Sequence, residues 1–584
     1  MRARPVRAAV LAALAALGGA ATAAARAQPS TAPAAAAPVP SALADLPPPL
    51  PPPAPAVEPS ALEALPGDLL ELLWGHRLDF SGGAPVVTIR IAEGREWIAF
   101  APRGPARLAP RGGAPVAVPV AGRLRARLRD ARPASIAFYP LLGQIESRDR
   151  AVIDRARVAW EGRGVRTRMR TVGGIYGISG KVIDNRRSLL LADGTWTEAS
   201  ARAFADEAFA RWGERPDVHA EVVARPSGTV EVLGPEGEIL AAGDAVVALE
   251  IPGGEGFAVD QVERDPLRAS RGTEERSYRG RLLLTLDATG RLAAVNAVAL
   301  EELLRGLVPS EMPAGSPTEA LKAQAVTARS NVLAQIGTRH LADPHALCSE
   351  VHCQAYRGDA AHTPATDAAV RATSGEALFG RADRRLVDGV YSAMCGGHGE
   401  DNEFVWGNVP DASLRGRLDL PGAPSASWAD GLSSEPRLRR FLESAPPAWC
   451  GRAPGARPDR YRWERRLSAA ELDALLAPLG IGSVRALSAG DRGVSGRART
   501  LRVQGERGSA AIQGELRIRN ALGNLPSAMF VLSREDGTWV LRGGGWGHGA
   551  GMCQWGAIGR AAAGQGYRDI LGAYFSGADV ARIY

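Results

Sequence analysis

The chain is organised around residues 300–329, LEELLRGLVPSEMPAGSPTEALKAQAVTAR. Apolar side chains recur there at the spacing of a helix, at Leu300, Leu303, Leu304 and Leu307. Pro309 lacks a backbone N–H, so we expect that helix to end there. A second helix is predicted to follow within a few residues. This arrangement places one carboxylate, Glu311, in a rigid turn between two apolar helices.

The second helix carries start and stop signals of its own. Ser316 is predicted to be its N-cap, Pro317 its first residue and Glu319 the partner in a capping box, while Gly337 follows its end. The apolar positions form two neighbouring stripes, so the helix is expected to be buried over a wide face. Two cations, at Lys322 and Arg329, lie along one edge.

Glu311 is the candidate for chemistry in this stretch. It lies between Pro309 and Pro313, beside Val308 and Met312. A carboxyl group among apolar neighbours keeps its proton to a higher pH, as a general acid near neutrality requires. The alternative is a surface glutamate in a turn bounded by prolines.

The N-terminal residues predict export. Basic residues at Arg2, Arg4 and Arg7 precede an alanine-rich apolar run over 8–24, and residues 25–27 offer small side chains for cleavage. Residues 1–27 are therefore predicted to be a secretory signal peptide. A membrane anchor is the alternative, although the run is short of the roughly 20 strongly apolar residues of a spanning helix. We expect no transmembrane anchor after cleavage, and a location in the periplasm or cell envelope.

Composition divides the rest of the chain. Residues 28–60 are rich in proline and alanine and predict an extended linker. Residues 61–277 show strand signals, among them 156–162, and an amphipathic helix over 198–215, so they predict a β-rich accessory region of one or two modules. Residues 278–584 mix helices and strands without strict alternation, which favours an α+β domain.

Charge argues against one class of partner. The net charge of +7 comes from arginines interspersed with acidic residues, with no basic stripe interleaved with aromatics. Nucleic-acid binding is therefore disfavoured. A basic exported protein is instead attracted weakly to an anionic cell envelope.

The segment 543–554, GGGWGHGAGMCQ, contains six glycines around His548. Glycines at this density allow sharp turns and close approach of the backbone to a ligand. Its two interpretations are the wall of a binding site and a glycine-rich turn with a structural histidine.

These segments together resemble the SpoIID/LytB family of sporulation protein D and amidase-enhancer-like proteins. Further similar pieces occur at 278–287, 348–359, 369–378, 390–407 and 495–503. The resemblance covers 278–584, about half of the chain. It implies an α+β catalytic domain that acts as a lytic transglycosylase on peptidoglycan glycan strands from which the stem peptides have been removed.

The PSEMP-type motif of that family matches residues 309–313, which implies that Glu311 is the catalytic acid and base and that the product carries a 1,6-anhydro ring. A hydrolase would need a second carboxylate roughly 5 to 9.5 Å away. The candidates for it are Asp388, Glu400, Asp401 and Glu403. A non-catalytic enhancer that binds glycan and stimulates a cell-wall amidase is the alternative function.

Eleven further residues are predicted to contact the substrate. They are Lys322, Arg329, Gln354, Tyr356, Tyr391, Ser392, His398, Trp546, His548, Gln554 and Trp555. The chain departs from the family at Gly399, where threonine is expected. A cysteine nucleophile at Cys395, paired with His398, is a further alternative, although no orienting Asn or Asp is evident.

Five cysteines leave at least one without a disulfide partner. A cluster of thiol and imidazole groups is predicted at His345, Cys348, His352 and Cys353, with His340 in reserve. Two thiolates and two imidazoles suit a tetrahedral zinc ion, and some members of the resembling family carry a structural zinc at such a segment. A disulfide between Cys348 and Cys353, and free thiols, remain open. Catalysis by Glu311 requires no cofactor.

Overall fold

The computed structural model describes residues 68–118, 122–146, 150–263, 272–350, 353–407, 409–422 and 426–584. The predicted signal peptide (1–27) and linker (28–60) lie outside these residues, as does His352. Helices and strands both occur throughout the described chain, and nearly all strand pairs are antiparallel. The predicted α+β class is confirmed.

The first half of the chain is dominated by strands. They are β1 (Asp79–Ser81), β2 (Ala84–Arg95), β3 (Trp97–Pro102), β4 (Ala106–Pro110), β5 (Val116–Val118), β6 (Leu124–Arg132), β7 (Ser135–Glu146), β8 (Thr167–Val172), β9 (Ile175–Ile178), β10 (Lys181–Asp184), β11 (Arg187–Ala192), β12 (Asp217–Ala224), β13 (Ser227–Leu233), β14 (Ile239–Asp244), β15 (Val246–Glu250), β16 (Phe257–Glu263), β17 (Thr273–Tyr278), β18 (Arg281–Leu286) and β19 (Leu292–Ala299). The helices among them are α1 (Leu69–Leu73), α2 (Arg150–Glu161) and α3 (Glu198–Trp212).

Helices are more frequent in the second half. They are α4 (Leu300–Glu311), α5 (Thr318–Gln335), α6 (Pro364–Ala372), α7 (Asn402–Trp406), α8 (Glu435–Ser444), α9 (Trp449–Arg452), α10 (Pro458–Tyr461), α11 (Ala469–Leu476), α12 (Glu515–Ala521), α13 (Gln554–Ala562) and α14 (Tyr567–Tyr574), with short 3-10 turns at Asp359–Ala361, Ala426–Trp428 and Ala477–Leu479. The strands are β20 (Leu347–Cys348), β21 (Glu376–Gly380), β22 (Tyr391–Ser392), β23 (Arg462–Leu467), β24 (Val484–Arg492), β25 (Ala498–Gly505), β26 (Ser509–Gln513), β27 (Phe530–Glu535), β28 (Thr538–Gly544), β29 (Met552–Cys553) and β30 (Ala578–Arg582).

Two sheets pack against each other and form the first two layers of the fold. One has the order β1-β2-β19-β18-β15-β4-β5, with β20 parallel to β2, and the other has the order β14-β13-β6-β3-β16-β17. Strand β18 is buried at every position because its two faces enter different cores. Leu282 and Leu284 face the main core, whereas Leu283 packs in the cluster around helix α1. This alternation is the two-residue period of a strand covered on both faces.

The first sheet is continuous across residue 278, where the sequence predicts a domain boundary. Strand β15 pairs with β18, and β2 pairs with β19. Strands on both sides of the predicted boundary therefore share one hydrogen-bonded sheet, which places the start of helix α4 directly after β19.

A further layer is inserted between β6 and β13. It contains the sheet β12-β7-β11-β8, and helices α2 and α3 pack on it. The predicted strand over 156–162 is wrong, since residues 156–161 belong to helix α2. Ala156 and Trp160 lie one helical turn apart and pack against Leu190. That apolar stripe outweighs the local strand preference of the segment.

Helix α4 runs through Pro309 and ends at Glu311, so the expected stop at Pro309 is wrong. The proline removes one N–H, but the hydrogen bonds after it are intact. Ser310 Oγ donates to Gly306 O at 2.8 Å, and the Met312 N–H donates to Val308 O at 3.0 Å. Glu311 is therefore held on a helix end rather than in a free turn.

Helix α5 begins one residue later than predicted, with Pro317 as N-cap and no side-chain capping bond. The predicted capping box is wrong because Glu319 has other partners. Its carboxylate accepts from Lys322 Nζ at 2.7 Å and from the Tyr567 N–H at 2.9 Å. A tertiary contact to the C-terminal segment thus replaces the local cap.

The last part of the chain has a core of its own. The sheets β23-β28-β27 and β24-β25-β26 enclose Leu467, Leu501 and Leu541 with helices α11 and α12. The predicted helix over 435–444 and the capping box of Ser468 are confirmed. Among the helices that the structure describes, none has the length and apolar character needed to cross a bilayer.

Arg329 provides a test of how helix α5 is held. Its side chain is fully buried, and its guanidinium donates to both carboxylate oxygens of Glu301 at 2.8 Å and to Glu376 O at 2.9 Å. Removing one partner of a buried ion pair costs about 3–5 kcal/mol. We expect Arg329→Ala to lower the free energy of unfolding, measured in urea, by this amount.

The matched control is Arg485→Ala, which removes an exposed arginine paired with Glu506. A surface pair of this kind contributes about 0–1 kcal/mol. Equal losses for the two variants would show that the buried pair does not hold helix α5.

Candidate active site

Glu311 is the last residue of helix α4 and is half-buried. Its neighbours Val308 and Met312 are buried in the main core. The Glu311 Oε1 atom accepts a hydrogen bond of 2.8 Å from the Ala355 N–H. The carboxyl group is thus held by a backbone N–H and lies beside residues whose apolar side chains are buried.

Burial raises the pKa of the Glu311 carboxyl above its ordinary value of 4.5. Hydrogen bonds from the Ala355 N–H, Tyr391 and Gln554 lower the pKa, but the loss of hydration outweighs them. The position at the C-terminal end of a helix also disfavours a negative charge. Glu311 therefore keeps its proton to a higher pH than an exposed glutamate.

Three predicted contact residues meet around Glu311. The Tyr391 hydroxyl lies beside the carboxyl group and donates to Gln354 Oε1 at 3.2 Å. The Gln554 Nε2 group donates to the backbone oxygen of Glu311 at 3.2 Å. These residues come from distant segments that the parallel pair β22 and β29 brings together, with Tyr391 opposite Met552.

Behind Gln354 lies a polar chain that sequence reasoning missed. Gln354 Nε2 donates to Asn331 Oδ1 at 2.8 Å, and Asn331 Nδ2 donates to Asp388 Oδ1 at 2.6 Å. Arg187 Nη2, from strand β11, binds Asp388 Oδ2 at 3.0 Å. Asn331 lies on the apolar stretch of helix α5, so nothing in its sequence neighbours indicated this role. The chain orients Gln354 toward Tyr391.

The glycine-rich segment forms a wall held by its histidine. His548 Nε2 donates to Tyr391 O at 2.9 Å, while its Nδ1 accepts from the Ala550 N–H at 3.1 Å. Burial lowers the pKa of His548 to about 4, so its imidazole is neutral at pH 7. Ser392 Oγ accepts from the Gly549 N–H at 3.3 Å. Both predicted contact residues join the loop to strand β22.

Gly547 has φ of +100°, and an added Cβ would lie 2.8 Å from the Ser392 Cβ. The glycine-rich loop and strand β22 therefore approach too closely for any side chain at this position.

The two predicted cations have other partners. Lys322 binds Glu319 and lies 5.7 Å from the centre of the Tyr567 ring. Arg329 is fully buried against Glu301, as described above. Lys322 therefore has a partner within helix α5 and the ring of Tyr567 on helix α14 nearby, and Arg329 connects α5 to α4 and β21.

Tyr356 and His398 are also buried. The Tyr356 hydroxyl donates to Asn296 Oδ1 at 3.0 Å. His398 Nδ1 donates to Gly399 O at 2.7 Å, and burial lowers the pKa of His398 to about 4. An added Cβ at Gly399 would make ordinary contacts of 3.4 Å and more, so the backbone does not require glycine there.

The two tryptophans are partly buried. Trp546 lies under the Arg460 guanidinium, 4.4 Å from the ring centre, and its backbone pairs with Met394. The Trp555 N–H donates to Ala393 O at 3.0 Å. Both tryptophans thus contact the residues that directly follow strand β22, which carries Tyr391.

The four candidate second carboxylates bind other groups of the protein. Asp388 is held by Asn331 and Arg187, as described above. The other three have partners of their own, with Glu400 bound by Ser495 Oγ, Asp401 by the Gly416 N–H and Glu403 by Arg415. All four carboxylates thus have hydrogen-bond or ion-pair partners within the protein.

The predicted metal cluster is partly assembled. Cys348 Sγ lies 3.2 Å from Cys353 Sγ, and His340 Nε2 lies 3.1 Å from Cys353 Sγ. His340, the reserve ligand, thus joins the two thiols. His345 is fully buried with its ring centre 4.7 Å from that of His340, and neither ring nitrogen has a hydrogen-bond partner among the described residues. His340, Cys348 and Cys353 lie within 4.8 Å of one another and have the donor types of a thiolate and imidazole zinc site, whereas His345 groups with His340 and Asp343.

Two family models match separate parts of the second half of the chain. Residues 288–379, which include Glu311, match the family model described as SpoIID: Stage II sporulation protein. Residues 400–551, which include His548, match a model described as Domain of unknown function (DUF8618).

Three relatives match about half of the chain. An uncharacterised protein of Brachyspira hyodysenteriae is 26% identical over 51% of this chain and 71% of its own length. The amidase enhancer of Bacillus subtilis is 28% identical over 47% of this chain, but the match spans only 39% of that protein. Stage II sporulation protein D of Bacillus amyloliquefaciens is 25% identical over 49% of this chain and 75% of its own length.

The raised pKa of Glu311 predicts a pH-dependent stability. A carboxyl whose pKa is raised by folding stabilises the fold while protonated and loses that stabilisation as pH rises through the folded-state pKa. Glu311→Gln stays neutral at every pH. We expect the free energy of unfolding of the parent to fall relative to this variant as pH increases from below 4.5 through the raised value.

Urea unfolding of both proteins across this pH range measures the difference, with the exposed Glu443→Gln as control. A difference between parent and Glu311→Gln that is constant with pH would mean that the carboxyl titrates normally.

Proposed function

Because the chain belongs to the SpoIID/LytB family, we propose that it is an exported lytic transglycosylase of peptidoglycan glycan strands, acting in the periplasm or cell envelope. It cleaves the bond between N-acetylmuramic acid and N-acetylglucosamine, on strands stripped of their peptides. The observation that carries the proposal is the half-buried carboxyl of Glu311, whose pKa is raised by burial and whose Oε1 is held by the Ala355 N–H.

In the proposed reaction Glu311 first acts as an acid. Its proton moves to the glycosidic oxygen as the bond from that oxygen to C1 of N-acetylmuramic acid breaks. The resulting carboxylate then takes the proton of the C6 hydroxyl, whose oxygen bonds to C1. The product carries a 1,6-anhydro ring, no water is consumed, and Glu311 regains its proton. One carboxyl group is sufficient for both steps.

The neighbours of Glu311 support this cycle. Burial holds the pKa of Tyr391 well above its ordinary value, so its hydroxyl stays protonated and donates hydrogen bonds. Its one proton is donated to Gln354 Oε1 before the reaction, and we propose that the hydroxyl turns toward Glu311 and stabilises the carboxylate that forms after the first proton transfer. Gln354 and Gln554 fix the phenol and the helix end, respectively.

A second candidate function follows from one relative. The Bacillus subtilis relative is named an amidase enhancer. In that alternative the chain binds glycan without cleaving it and stimulates a separate cell-wall amidase.

The deciding experiment incubates protein lacking residues 1–60 with glycan strands from which an amidase has removed the peptides. Mass spectrometry then identifies the released ends. Anhydro-muramyl ends support the transglycosylase, reducing ends indicate a hydrolase, and no release indicates the enhancer.

Glu311→Gln should abolish release while leaving glycan binding and folding nearly intact, because the amide has the shape of the acid but gives up no proton. General acid catalysis contributes about 10² to 10⁴-fold in rate. Glu443→Gln, on the surface of helix α8, removes the same charge and should retain the parent's rate. If Glu311→Gln keeps more than about a tenth of that rate, Glu311 is not the catalytic acid.

We also propose that Cys348, Cys353 and His340 bind one structural zinc ion, with His345 or His352 as the fourth ligand. Cys348→Ala combined with Cys353→Ala should remove one equivalent of zinc and lower the melting temperature, since a structural site contributes its binding free energy to folding. Elemental analysis and calorimetry measure both effects. Under the disulfide alternative the zinc content is unchanged, and reductant exposes two additional thiols in the parent.

A further inference from the structure

Three cysteines that are far apart in the sequence meet in the core. Cys395, Cys450 and Cys553 are buried, and their sulfur atoms and a carboxylate oxygen of Asp419 all lie within 4.8 Å of one another. All three cysteines lie in the described part of the chain, and none is disulfide-bonded there.

The sulfur spacing is that of a metal-thiolate pair. Cys395 Sγ and Cys450 Sγ are 3.8 Å apart. Two thiolates on a tetrahedral zinc ion, each at about 2.3 Å from the metal, are separated by about 3.8 Å. A disulfide would require about 2.05 Å. The spacing of this pair therefore suits two ligands of one ion.

Backbone N–H groups point at these sulfurs. The Gly397 N–H lies 3.4 Å from Cys395 Sγ, and the N–H groups of Cys395 and Gly556 lie 3.1 and 3.2 Å from Cys553 Sγ. Gly396 and Gly397 have φ of +78° and +101°, which forms the turn around Cys395. Cys553 is also the N-cap of helix α13. Hydrogen bonds from backbone N–H groups to sulfur are a common feature of metal-bound cysteines.

Asp419 completes a four-ligand set. Its Oδ2 lies 3.4 Å from Cys395 Sγ and accepts from the Tyr574 hydroxyl at 3.0 Å, while its Oδ1 accepts from Arg560 Nη2 at 2.8 Å. Metal-binding carboxylates are usually oriented by such outer hydrogen bonds. The Arg560 cation also offsets part of the negative charge. A cavity of about 20 Å³ borders Cys395 and Asp419, so the packed side chains leave free space beside the cluster.

We propose that Cys395, Cys450, Cys553 and Asp419 bind one zinc ion. Three thiolates and a carboxylate fill a tetrahedral shell and leave no position for substrate, so this ion is structural. Binding releases the thiol protons and joins four chain segments. Gln554 directly follows Cys553, and β22, which carries Tyr391, leads to Cys395. The ion therefore holds both neighbours of Glu311 in place.

The site does not depend on the chemistry of Glu311, and its test uses metal content. The full chain with Cys348→Ala and Cys353→Ala, which lacks the other candidate zinc site, should still contain one equivalent of zinc by elemental analysis. Adding Cys450→Ser should remove that equivalent, whereas adding Glu443→Gln should not. Substitution with cobalt should give the visible absorption of a tetrahedral thiolate site only when Cys450 is present.

X-ray absorption of the unaltered chain provides a readout that needs no variant. Two zinc ions, one with two and one with three sulfur ligands, give a mean of about 2.5 sulfur atoms per zinc. One equivalent with two sulfur ligands would overturn the proposal. A Cys395 to Cys450 disulfide found by peptide mapping, or zinc that is retained after Cys450→Ser, would also overturn it.

Discussion

The burial of helix α5 is the constraint on which the second half of the structure depends. Its residues are buried on every side apart from positions near its start, so each polar side chain needs a partner inside the protein. Arg329 binds Glu301, Ser330 accepts the Leu378 N–H at 2.8 Å, and Asn331 binds Asp388. These bonds connect the helix to α4, β21 and the segment before β22. Glu311, six residues before the helix cap, is therefore fixed relative to all three.

The accessory region contributes to the same helix. Asn185 Nδ2 donates to Leu333 O at 2.9 Å and Ile336 O at 2.8 Å, which satisfies carbonyl groups at the C-terminal end of α5. Arg187, two residues later, binds Asp388 behind Gln354. The β-rich half thus stabilises the end of the helix and orients the polar chain that leads to Tyr391.

Local signals in the sequence predicted local structure well. The helix over 435–444 and the cap at Ser468 both depend on neighbouring residues. The capping box of Glu319 failed because its carboxylate binds the Tyr567 N–H, 248 positions away. The cluster of Cys395, Cys450 and Cys553 was missed for the same reason, since its members lie on separate segments of the chain and no spacing pattern connects them. Long-range contacts decided each of these cases.

The position of the inserted layer also determines how related chains can differ in length. Strands β6 and β13 are antiparallel neighbours, and β7 and β12 continue the same pair outward, with Ala224 opposite Ser135. The chain therefore leaves the sandwich and re-enters it at adjacent points. A lineage can lengthen, shorten or lose this layer without shifting the register of the sandwich. Asn185 and Arg187 set the limit on that freedom, because a chain without the layer needs another cap for helix α5 and another cation for Asp388.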